Sequence, residues 1–496
     1  MSTADTAPTR SAAIVVPMSA LAASLAVGWG AVQGVMLPRG PFTAVEAIAT
    51  AAVSASVGLA AGWLTRSRLA PLLAPLLFVV AFEAARWAWL GAYAIWPKPS
   101  TYGLVMLVTG RGVHGVFTLL PLALGALFGL VSLGGAARRR DAAAWAGRIV
   151  GAGGLAVLLF ACSAIIAPAR TAPVLGPDGH ELPGSIAELT TVPVNGHDLS
   201  LLIRGRDESA PVVLFLAGGP GGSELGAMTA DLSLEQHAVV VTWDQRGAGK
   251  SYAELDPAST LTLDGAIADT IAVTEHLRAR FGVEKVYLVG QSWGTLLGVL
   301  AAKERPDLYH AFVGTGQMVN LPETDRRFYD DTLAWARATG RDDLERSLVR
   351  NGPPPYEDLF AYEDALSHEH KVYPYDHSPN AEGPSGFSEH VFAAEYTPLE
   401  RIHNLAAMLD TFAVLYPQLQ DVDLCRDAAT LDVPVVLIQG RHEAPGRAEP
   451  ARDWFDDLRA PSKEWIELAT SGHRPIFQQP GEFARAFAER VLTAGS

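Results

Sequence analysis

Five long apolar stretches occupy most of the first 168 residues, and they constrain the fold more strongly than any other feature of the chain. They lie near residues 13–36, 43–64, 70–96, 104–134 and 145–167. A helix of about 20 residues crosses the hydrocarbon core of a bilayer, and in lipid such a segment must satisfy its own backbone N–H and C=O groups. We therefore predict an all-α transmembrane domain of about five helices over residues 1–168.

The distribution of charge separates the same region from the rest of the chain. Residues 1–168 contain eleven Lys or Arg and four Asp or Glu, whereas the remaining residues contain 27 and 49. An acidic segment without a basic run, an aromatic stacking platform or a phosphate-binding loop is a poor match for nucleic acid. We expect a lipid bilayer as the partner of the first part and no nucleic acid as a partner of the second, and the oligomeric state stays open.

Basic residues in the short loops predict the orientation of the helices. If the N-terminus is cytoplasmic, most of these bases face the cytoplasm, as the positive-inside rule requires. The inside loops then carry Arg10, Arg66, Arg68, Arg138, Arg139, Arg140 and Arg148, and the outside loops carry Arg39, Lys98 and Arg170. Five spans make this an integral protein of the cell membrane whose second part is extracytoplasmic. An even number would keep that part inside.

Several ionisable residues fall in or near the apolar stretches, namely Glu46, Glu83, Arg86, Arg111 and His114. A charge at the centre of a bilayer costs about 3 kcal/mol on insertion scales unless it is paired or hydrated. Glu83 and Arg86 are one helical turn apart and could pair. The residues could line a polar route, but their small number and the absence of a repeat favour internal pairing that locks helices together.

Cysteine usage argues against two common kinds of site. Cys162 lies in the fifth apolar stretch and Cys425 in the acidic part, so this pair indicates neither a disulfide scaffold nor a zinc site. We expect no metal and no organic cofactor. Pro and Gly recur over residues 169–184, which we interpret as a linker between the two parts.

Short β-rich runs alternate with helical patterns after the linker, which is typical of a largely parallel sheet covered by helices. The runs are Leu199–Ile203, Val212–Leu216, Val239–Trp243, Val286–Val289, Phe312–Gly314 and Val435–Ile438. Residues 319–430 break this rhythm with charged and aromatic helical patterns and no clear core strand. We therefore predict an α/β core formed by residues 185–318 and 431–496, with residues 319–430 inserted as a helical cap.

The sequence Gly290-Gln291-Ser292-Trp293-Gly294 directly follows one of these runs. A serine between two glycines at a strand end is typical of a nucleophile elbow, where the chain turns sharply into a helix. A serine hydroxyl needs a base, and the base needs a third group that orients it. Chain order predicts the acid before the histidine: Glu443 follows Val435–Ile438, and His473 follows a strand-like run near residue 466.

An oxyanion hole is predicted beside this serine. Ala217-Gly218-Gly219-Pro220-Gly221-Gly222 follows a strand, and glycines let backbone N–H groups approach a substrate oxygen closely. We assign the two donors to the backbone N–H groups of Gly219 and Trp293. The Trp293 indole is interpreted as a pocket wall.

These motifs resemble those of the proline iminopeptidase-like serine peptidases of the α/β-hydrolase fold. The resemblance covers residues 185–496 and includes the element Trp243-Asp244-Gln245-Arg246-Gly247 together with Ser471-Gly472-His473. It implies an α/β-hydrolase fold with a helical cap. Soluble members have no counterpart of the membrane part.

Two positions depart from that family's pattern. Ala217 stands where the family usually has a histidine, and Glu443 stands where it usually has an aspartate. Asp432 and Asp456 are nearby alternatives to Glu443, although neither ends the late strand. We interpret Asp244 and Arg246 as a buried ion pair that braces their loop, and we expect His442 to face away from the site.

Family members with aminopeptidase activity hold the free amine of the substrate with acidic cap residues. Five carboxylates in the predicted cap could do so here, although a solvated charged face explains them as well: Glu357, Asp358, Glu363, Asp364 and Glu369.

The sequence predicts a membrane-anchored serine hydrolase with Ser292 as nucleophile, His473 as base and Glu443 as the orienting acid. The resemblance favours an aminopeptidase of proline iminopeptidase type, acting on a small peptide or aminoacyl amide. The alternatives are an esterase or lipase acting on acyl esters, and a membrane transporter or sensor with a non-catalytic hydrolase-like binding module.

Overall fold

The computed structural model describes residues 17–133, 142–375, 377 and 393–493. The chain divides into two compact units. The first consists of Met1–Ala94 with Arg111–Ala164, and the second of Ile95–Gly110 with Ile165–Ser496. The short segment Ile95–Gly110 therefore clusters with the second unit, although it is distant from it in sequence.

The N-terminal apolar stretches form helices, as predicted. Four helical segments of the described residues are long and apolar enough to cross a membrane: Met18–Met36, Ala44–Thr65, Ala70–Tyr93 and Thr101–Val131. The last of these contains a π-helical segment, Leu107–Gly112. The fifth apolar stretch is also helical, and its apolar segment Ile149–Ala164 is shorter than the other four. The α-helices of this region are α1 Met18–Met36, α2 Ala44–Thr65, α3 Ala70–Leu90, α4 Thr101–Met106, α5 Val113–Leu133 and α6 Ala142–Ala164.

Small residues bring α2 and α5 into close contact. A methyl group on Gly58 would lie 2.0 Å from the Leu122 carbonyl oxygen, and one on Gly125 would lie 2.1 Å from that of Ala55. Only glycine permits such an approach of two helix backbones, which is a common way of packing helices in lipid.

Four ionisable residues of the predicted membrane helices lie in contact with polar partners: Glu83, Arg86, Arg111 and His114. Arg111 Nε donates to Glu83 Oε1 over 2.6 Å, and Arg86 lies 3.6 Å from the same carboxylate. The predicted pairing of Glu83 with Arg86 is therefore confirmed, and Arg111 joins it. His114 Nε2 lies 3.0 Å from Gln33 Oε1. These contacts connect α1, α3 and the fourth apolar helix.

The second unit contains an eight-stranded sheet with the order β1-β2-β4-β3-β5-β6-β7-β8. The strands β3 to β8 run parallel, whereas β1 and β2 pair antiparallel at one edge. The predicted α/β class is confirmed. The bounds are β1 Ile186–Val194, β2 His197–Gly205, β3 Val212–Leu216, β4 Val239–Trp243, β5 Val286–Gln291, β6 Tyr309–Thr315, β7 Val435–Gly440 and β8 Lys463–Leu468.

Helices cover both faces of this sheet and continue between β6 and β7. Flanking helices are α7 Leu225–Ala230, α8 Leu263–Phe281, α9 Trp293–Glu304, α16 Pro445–Asp457, α17 Pro475–Gln478 and α18 Pro480–Ala486. The helices between β6 and β7 are α10 Leu321–Ala338, α11 Asp342–Asn351, α12 Leu359–Leu366, α13 Glu369–Val372, α14 Pro398–Leu415 and α15 Leu424–Asp427. We call these last six helices and their connections the cap.

Apolar strand residues form the core that holds the sheet edge in place. Phe215, Val289, Val313 and Ile438 are all 0 % exposed and come from four neighbouring strands. Burying side chains of this size stabilises a fold by roughly 1.5–3 kcal/mol each. The carboxyl ends of β3, β5, β6, β7 and β8 are thereby fixed side by side, at the edge where open α/β sheets bind their ligands.

Candidate active site

Ser292 lies at the turn between β5 and α9. Its backbone adopts φ 53° and ψ −120°, a conformation that residues with a side chain rarely adopt and that costs of order 1–3 kcal/mol. The strain places Ser292 at the N-terminal end of a twelve-residue helix, where the backbone N–H groups and the helix dipole favour negative charge.

Two glycines make this turn possible. A Cβ on Gly290 would lie 2.4 Å from the Gly294 carbonyl oxygen, and a Cβ on Gly294 would lie 2.1 Å from the Leu216 carbonyl oxygen. Any side chain at either position would push α9 away from β3 and β5. The local sequence thus explains how the strand and the helix come so close at Ser292.

His473 lies in the loop after β8, between the serine and a carboxylate. Its Nε2 is 3.0 Å from Ser292 Oγ, and its Nδ1 is 2.6 Å from Glu443 Oε2. The ring packs against Gly316, where an added Cβ would approach His473 Nδ1 to 3.0 Å. The three residues predicted from the sequence therefore form one continuous hydrogen-bonded row.

Glu443 follows β7, and its side chain is only 3 % exposed. The oxygen that does not face His473 accepts hydrogen bonds from the Ala444 N–H at 2.8 Å and from Arg447 Nε at 3.0 Å. Burial by itself favours the neutral acid, but Arg447 and His473 outweigh it and lower the pKa of Glu443 to about 2. Glu443 is thus an anion at neutral pH, as the orienting acid of a catalytic histidine must be.

The alternative acids lie elsewhere. Asp456 pairs with Arg452 on the exposed side of α16, and Asp432 is exposed before β7. His442 lies against His377, with tilted rings whose centroids are 3.8 Å apart, while the neighbouring Glu443 faces His473.

The loop after β3 lies against the serine. A Cβ on Gly218 would be 3.3 Å from Ser292 Cβ, which shows how closely the loop approaches. Gly219 has φ 129°, in the region that favours glycine. Within the described ranges, the backbone N–H groups of Gly219 and Trp293 donate no hydrogen bond to the protein, so both remain available to an oxygen atom of a ligand.

Gln245 connects the two sides of this loop, and it was not singled out from the sequence. It accepts a hydrogen bond from the Trp293 indole at 2.8 Å and donates to the Ala217 carbonyl oxygen at 3.3 Å. The indole is 2 % exposed, so Trp293 holds a polar bridge in addition to its packing role. The bridge therefore ties the loop at Ala217 to the start of α9.

The predicted ion pair between Asp244 and Arg246 is wrong. Asp244 accepts hydrogen bonds from the Lys250 N–H and the Ser223 hydroxyl, both at 2.8 Å. Arg246 instead pairs with Asp269 of α8 at 2.8 Å. The two side chains leave the loop towards different neighbours, so each braces it separately.

The cap carboxylates differ in their surroundings. Asp358 pairs with Lys98, and Asp364 lies 3.5 Å from Asn351, while Glu357 is exposed. Glu369 pairs with Arg447. Glu363 is 9 % exposed. Its Oε1 accepts a hydrogen bond from the Tyr102 N–H at 3.2 Å, whereas its Oε2 is buried without a partner among the described residues.

Metal-ligating side chains do not cluster in the part of the chain that the structure describes. There, no group of three or more His, Cys, Asp or Glu residues could hold a metal ion. The site described above consists of a serine, a histidine, a carboxylate and backbone N–H groups.

The candidate active site lies in a region that matches a known protein family. A family model described as the alpha/beta hydrolase fold matches residues 211–480, which include all three residues of the row. The chain is similar to a probable aminopeptidase of Bacillus subtilis, with 29 % identity over 317 residues that cover 62 % of this chain and 97 % of the relative.

Two further similarities concern proline iminopeptidases. The chain is 34 % identical to that of Lactobacillus crispatus over 111 residues, which cover 22 % of this chain and 36 % of the relative. The crystal structure of the proline iminopeptidase of Mycobacterium smegmatis aligns with a TM-score of 0.44 and 21 % identity, covering 62 % of this chain and 99 % of that one. The predicted resemblance to proline iminopeptidase-like proteins is confirmed.

Proposed function

The chain belongs to the family of the alpha/beta hydrolase fold, and we propose that it is a membrane-anchored serine hydrolase that cleaves an aminoacyl residue from the N-terminus of a small peptide or amide. The observation that carries the proposal is the row in which His473 lies 3.0 Å from Ser292 Oγ and 2.6 Å from Glu443. Relatives named as aminopeptidases and proline iminopeptidases support the substrate class.

In the proposed reaction, Ser292 Oγ attacks the acyl carbon while His473 Nε2 takes its proton. Glu443 keeps the other ring nitrogen protonated and stabilises the imidazolium that forms. His473 then gives the proton to the leaving amine, and an acyl-enzyme remains on Ser292. Water attacks this ester with His473 again as base, which releases the acid and restores the serine.

The N–H groups of Gly219 and Trp293 are the proposed oxyanion hole. Negative charge develops on the acyl oxygen at each tetrahedral stage, and preorganised donors stabilise it without reorganisation. Removal of one such donor in a serine hydrolase typically lowers the rate by about 10²–10³. The Gln245 bridge keeps the loop and the start of α9 in register for this role.

Glu363 is the proposed acceptor for the free amine of the substrate. Arg447 compensates the negative charge of Glu369. Glu363, in contrast, has one buried oxygen that finds no partner among the residues that the structure describes. A buried carboxylate oxygen without a partner is costly, and an ammonium group satisfies it. We therefore expect the enzyme to prefer substrates whose N-terminal amine is unblocked.

Glu363→Gln tests this assignment. Loss of a charged hydrogen bond of about 1.5–3 kcal/mol corresponds to a 10–100-fold lower kcat/KM, carried mainly by KM, for substrates with a free amine. N-acetylated substrates should be unaffected. Asp364→Asn on the same helix is the matched control, and we expect wild-type kinetics from it. Equal losses on free and acetylated substrates would contradict the assignment, and a preference of the wild type for acyl esters by orders of magnitude would overturn the peptidase proposal.

The orientation predicted from the loop charges places the hydrolase unit outside the cytoplasm. Cys425 is exposed and reports on this, provided that Cys162 is first replaced by Ala. We expect an impermeant thiol reagent to label Cys425 in intact cells, with Cys425→Ser as the background. Labelling only after lysis would place the unit in the cytoplasm.

A further inference from the structure

The carboxylate that orients His473 belongs to a larger buried cluster of charges. Arg447, on the first turn of α16, has a side chain that is 6 % exposed. Its Nε donates to Glu443 at 3.0 Å, and its Nη2 donates to Glu369 and to the Tyr375 hydroxyl. A single guanidinium group therefore bridges the carboxylate of the core and a carboxylate of the cap.

On the cap side of this bridge, Glu369 and Tyr375 also contact each other and the loop that carries His473. The Tyr375 hydroxyl donates to Glu369 Oε1 at 2.6 Å, so the two residues hold each other as well as Arg447. Tyr375 also packs on the histidine loop, where a Cβ on Gly472 would approach its Cβ to 2.6 Å. The rings of Tyr375 and His473 lie 6.2 Å apart between centroids. The segment Glu369–Tyr375 is thus in direct contact with the loop after β8 that carries His473.

Other groups near Arg447 are aromatic or weakly acidic. The Phe328 ring of α10 lies 4.6 Å from the guanidinium carbon. Asp325 of the same helix interacts electrostatically with both Arg447 and Glu369, and burial raises its pKa to about 6. Tyr373 is a further neighbour and hydrogen-bonds Asp331. Tyr102 of α4 interacts electrostatically with Glu369, and Tyr416 after α14 with Arg447. Among the described residues, these tyrosines, Asp325 and Tyr373 join His473, Glu443 and Tyr375 as the titratable side chains around the bridge.

The charges alternate along this cluster, from His473 through Glu443 and Arg447 to Glu369. When the imidazolium forms during catalysis, Glu443 stabilises it and Arg447 opposes it. Glu369 interacts electrostatically with His473 as well as with Arg447, so its negative charge offsets the opposition. Without Glu369, Arg447 would draw its compensating charge from Glu443, the same carboxylate that stabilises the imidazolium.

We propose that Arg447 and the cap residue Glu369 are positioning residues of the active site: Arg447 fixes Glu443 with one oxygen towards His473, and Glu369 orients Arg447 and balances its charge. The proposal rests on the proposed function of Ser292, His473 and Glu443. It gives the cap a role in the chemical step in addition to substrate binding, because the orienting acid is complete only when the segment Glu369–Tyr375 is in place.

The test is the pH dependence of the rate at which a fluorophosphonate labels Ser292 in the full-length protein. Glu369→Gln removes a negative charge near the imidazolium, so the acid limb should move to lower pH by roughly half a unit to one unit, and the plateau should fall about tenfold. Arg447→Gln removes the positive charge, so the acid limb should move to higher pH. The double variant should return it close to the wild-type position.

Opposite shifts that cancel in the double variant cannot come from a merely structural role. Glu357→Gln, at an exposed position of the cap, is the matched control, and its profile should coincide with that of the wild type. If Arg447→Gln does not fold, the shift of the acid limb in Glu369→Gln relative to the control still decides whether Glu369 acts on His473. If Ser292 is labelled and the pH profiles of all variants coincide, the positioning roles alone are overturned. If Ser292 of the wild type is not labelled, the proposed function and the positioning roles are overturned together.

Discussion

Ser292→Ala should lower kcat/KM for aminoacyl amides by at least about 10⁴-fold, with little change in KM. The serine oxygen is the atom that forms the acyl-enzyme, and neither His473 nor the oxyanion loop can replace it. The residual rate should come from the oxyanion hole and substrate binding alone. Steady-state hydrolysis by the purified, detergent-solubilised protein measures the loss.

Thermal melting provides the control for this variant. Alanine, like serine, has a Cβ at the strained position with φ 53°, so the melting temperature should stay near that of the wild type. A variant that keeps more than a tenth of the wild-type rate, while folded and free of contaminating hydrolase, would remove Ser292 from the mechanism.

Glu443→Gln should lower kcat by about 10³–10⁴-fold. An amide cannot stabilise the imidazolium by charge, and it can present an N–H that favours the wrong tautomer of His473. The carboxylate is an anion in the native protein because its pKa is lowered to about 2, so protonation of Glu443 should not limit the rate above pH 4.

Glu443→Asp tests whether the length of the acidic side chain matters in addition to its negative charge. The shorter side chain keeps the negative charge but cannot meet both His473 and Arg447 at the distances of the native site, so we expect a loss of about 10–100-fold. Glu467→Gln on β8 is the control, because Glu467 pairs with Arg441 at the surface. If Glu443→Gln and Glu467→Gln behave alike, the orienting acid is not Glu443.

The features predictable from the sequence are those fixed by local geometry. Gly290 and Gly294 indicate that a strand and a helix pack closely together. This close packing places Ser292 at the turn between them. Glu443 follows the apolar run that becomes β7, and His473 follows the strand-like run that becomes β8. The carboxyl ends of neighbouring parallel strands meet at one edge of the sheet. The α/β class and the helical N-terminal region follow from the spacing of apolar residues for the same reason.

The partners supplied by distant segments were not predictable. Asp244 and Arg246 are two residues apart, which suggested a pair, but Asp269 of α8 and the Lys250 N–H compete successfully for them. Arg447 lies four residues after Glu443, a spacing that could have indicated contact on a helix. Its bridge to Glu369 depends on how the cap folds over the core, and no local pattern shows that.

The segment Ile95–Gly110 gives a second example. Its residues from 104 onward were predicted to begin a membrane helix, and Thr101–Val131 is long and apolar enough to be one. In the structure, Met106 packs with Leu359 and Leu409 of the cap, and the Tyr102 N–H holds Glu363. Apolar composition predicts burial equally well in lipid or in protein, so only the tertiary structure distinguishes the two for each residue.

Mapping of the fluorophosphonate adduct by tandem mass spectrometry tests the proposed catalytic site most directly. The full-length protein is labelled near neutral pH, digested and sequenced. We predict one stoichiometric adduct on Ser292, strongly slowed by His473→Gln and absent from Ser292→Ala. A wild-type protein that is folded but unlabelled, or labelled at another serine, would contradict the assignment of Ser292, His473 and Glu443 as a catalytic triad.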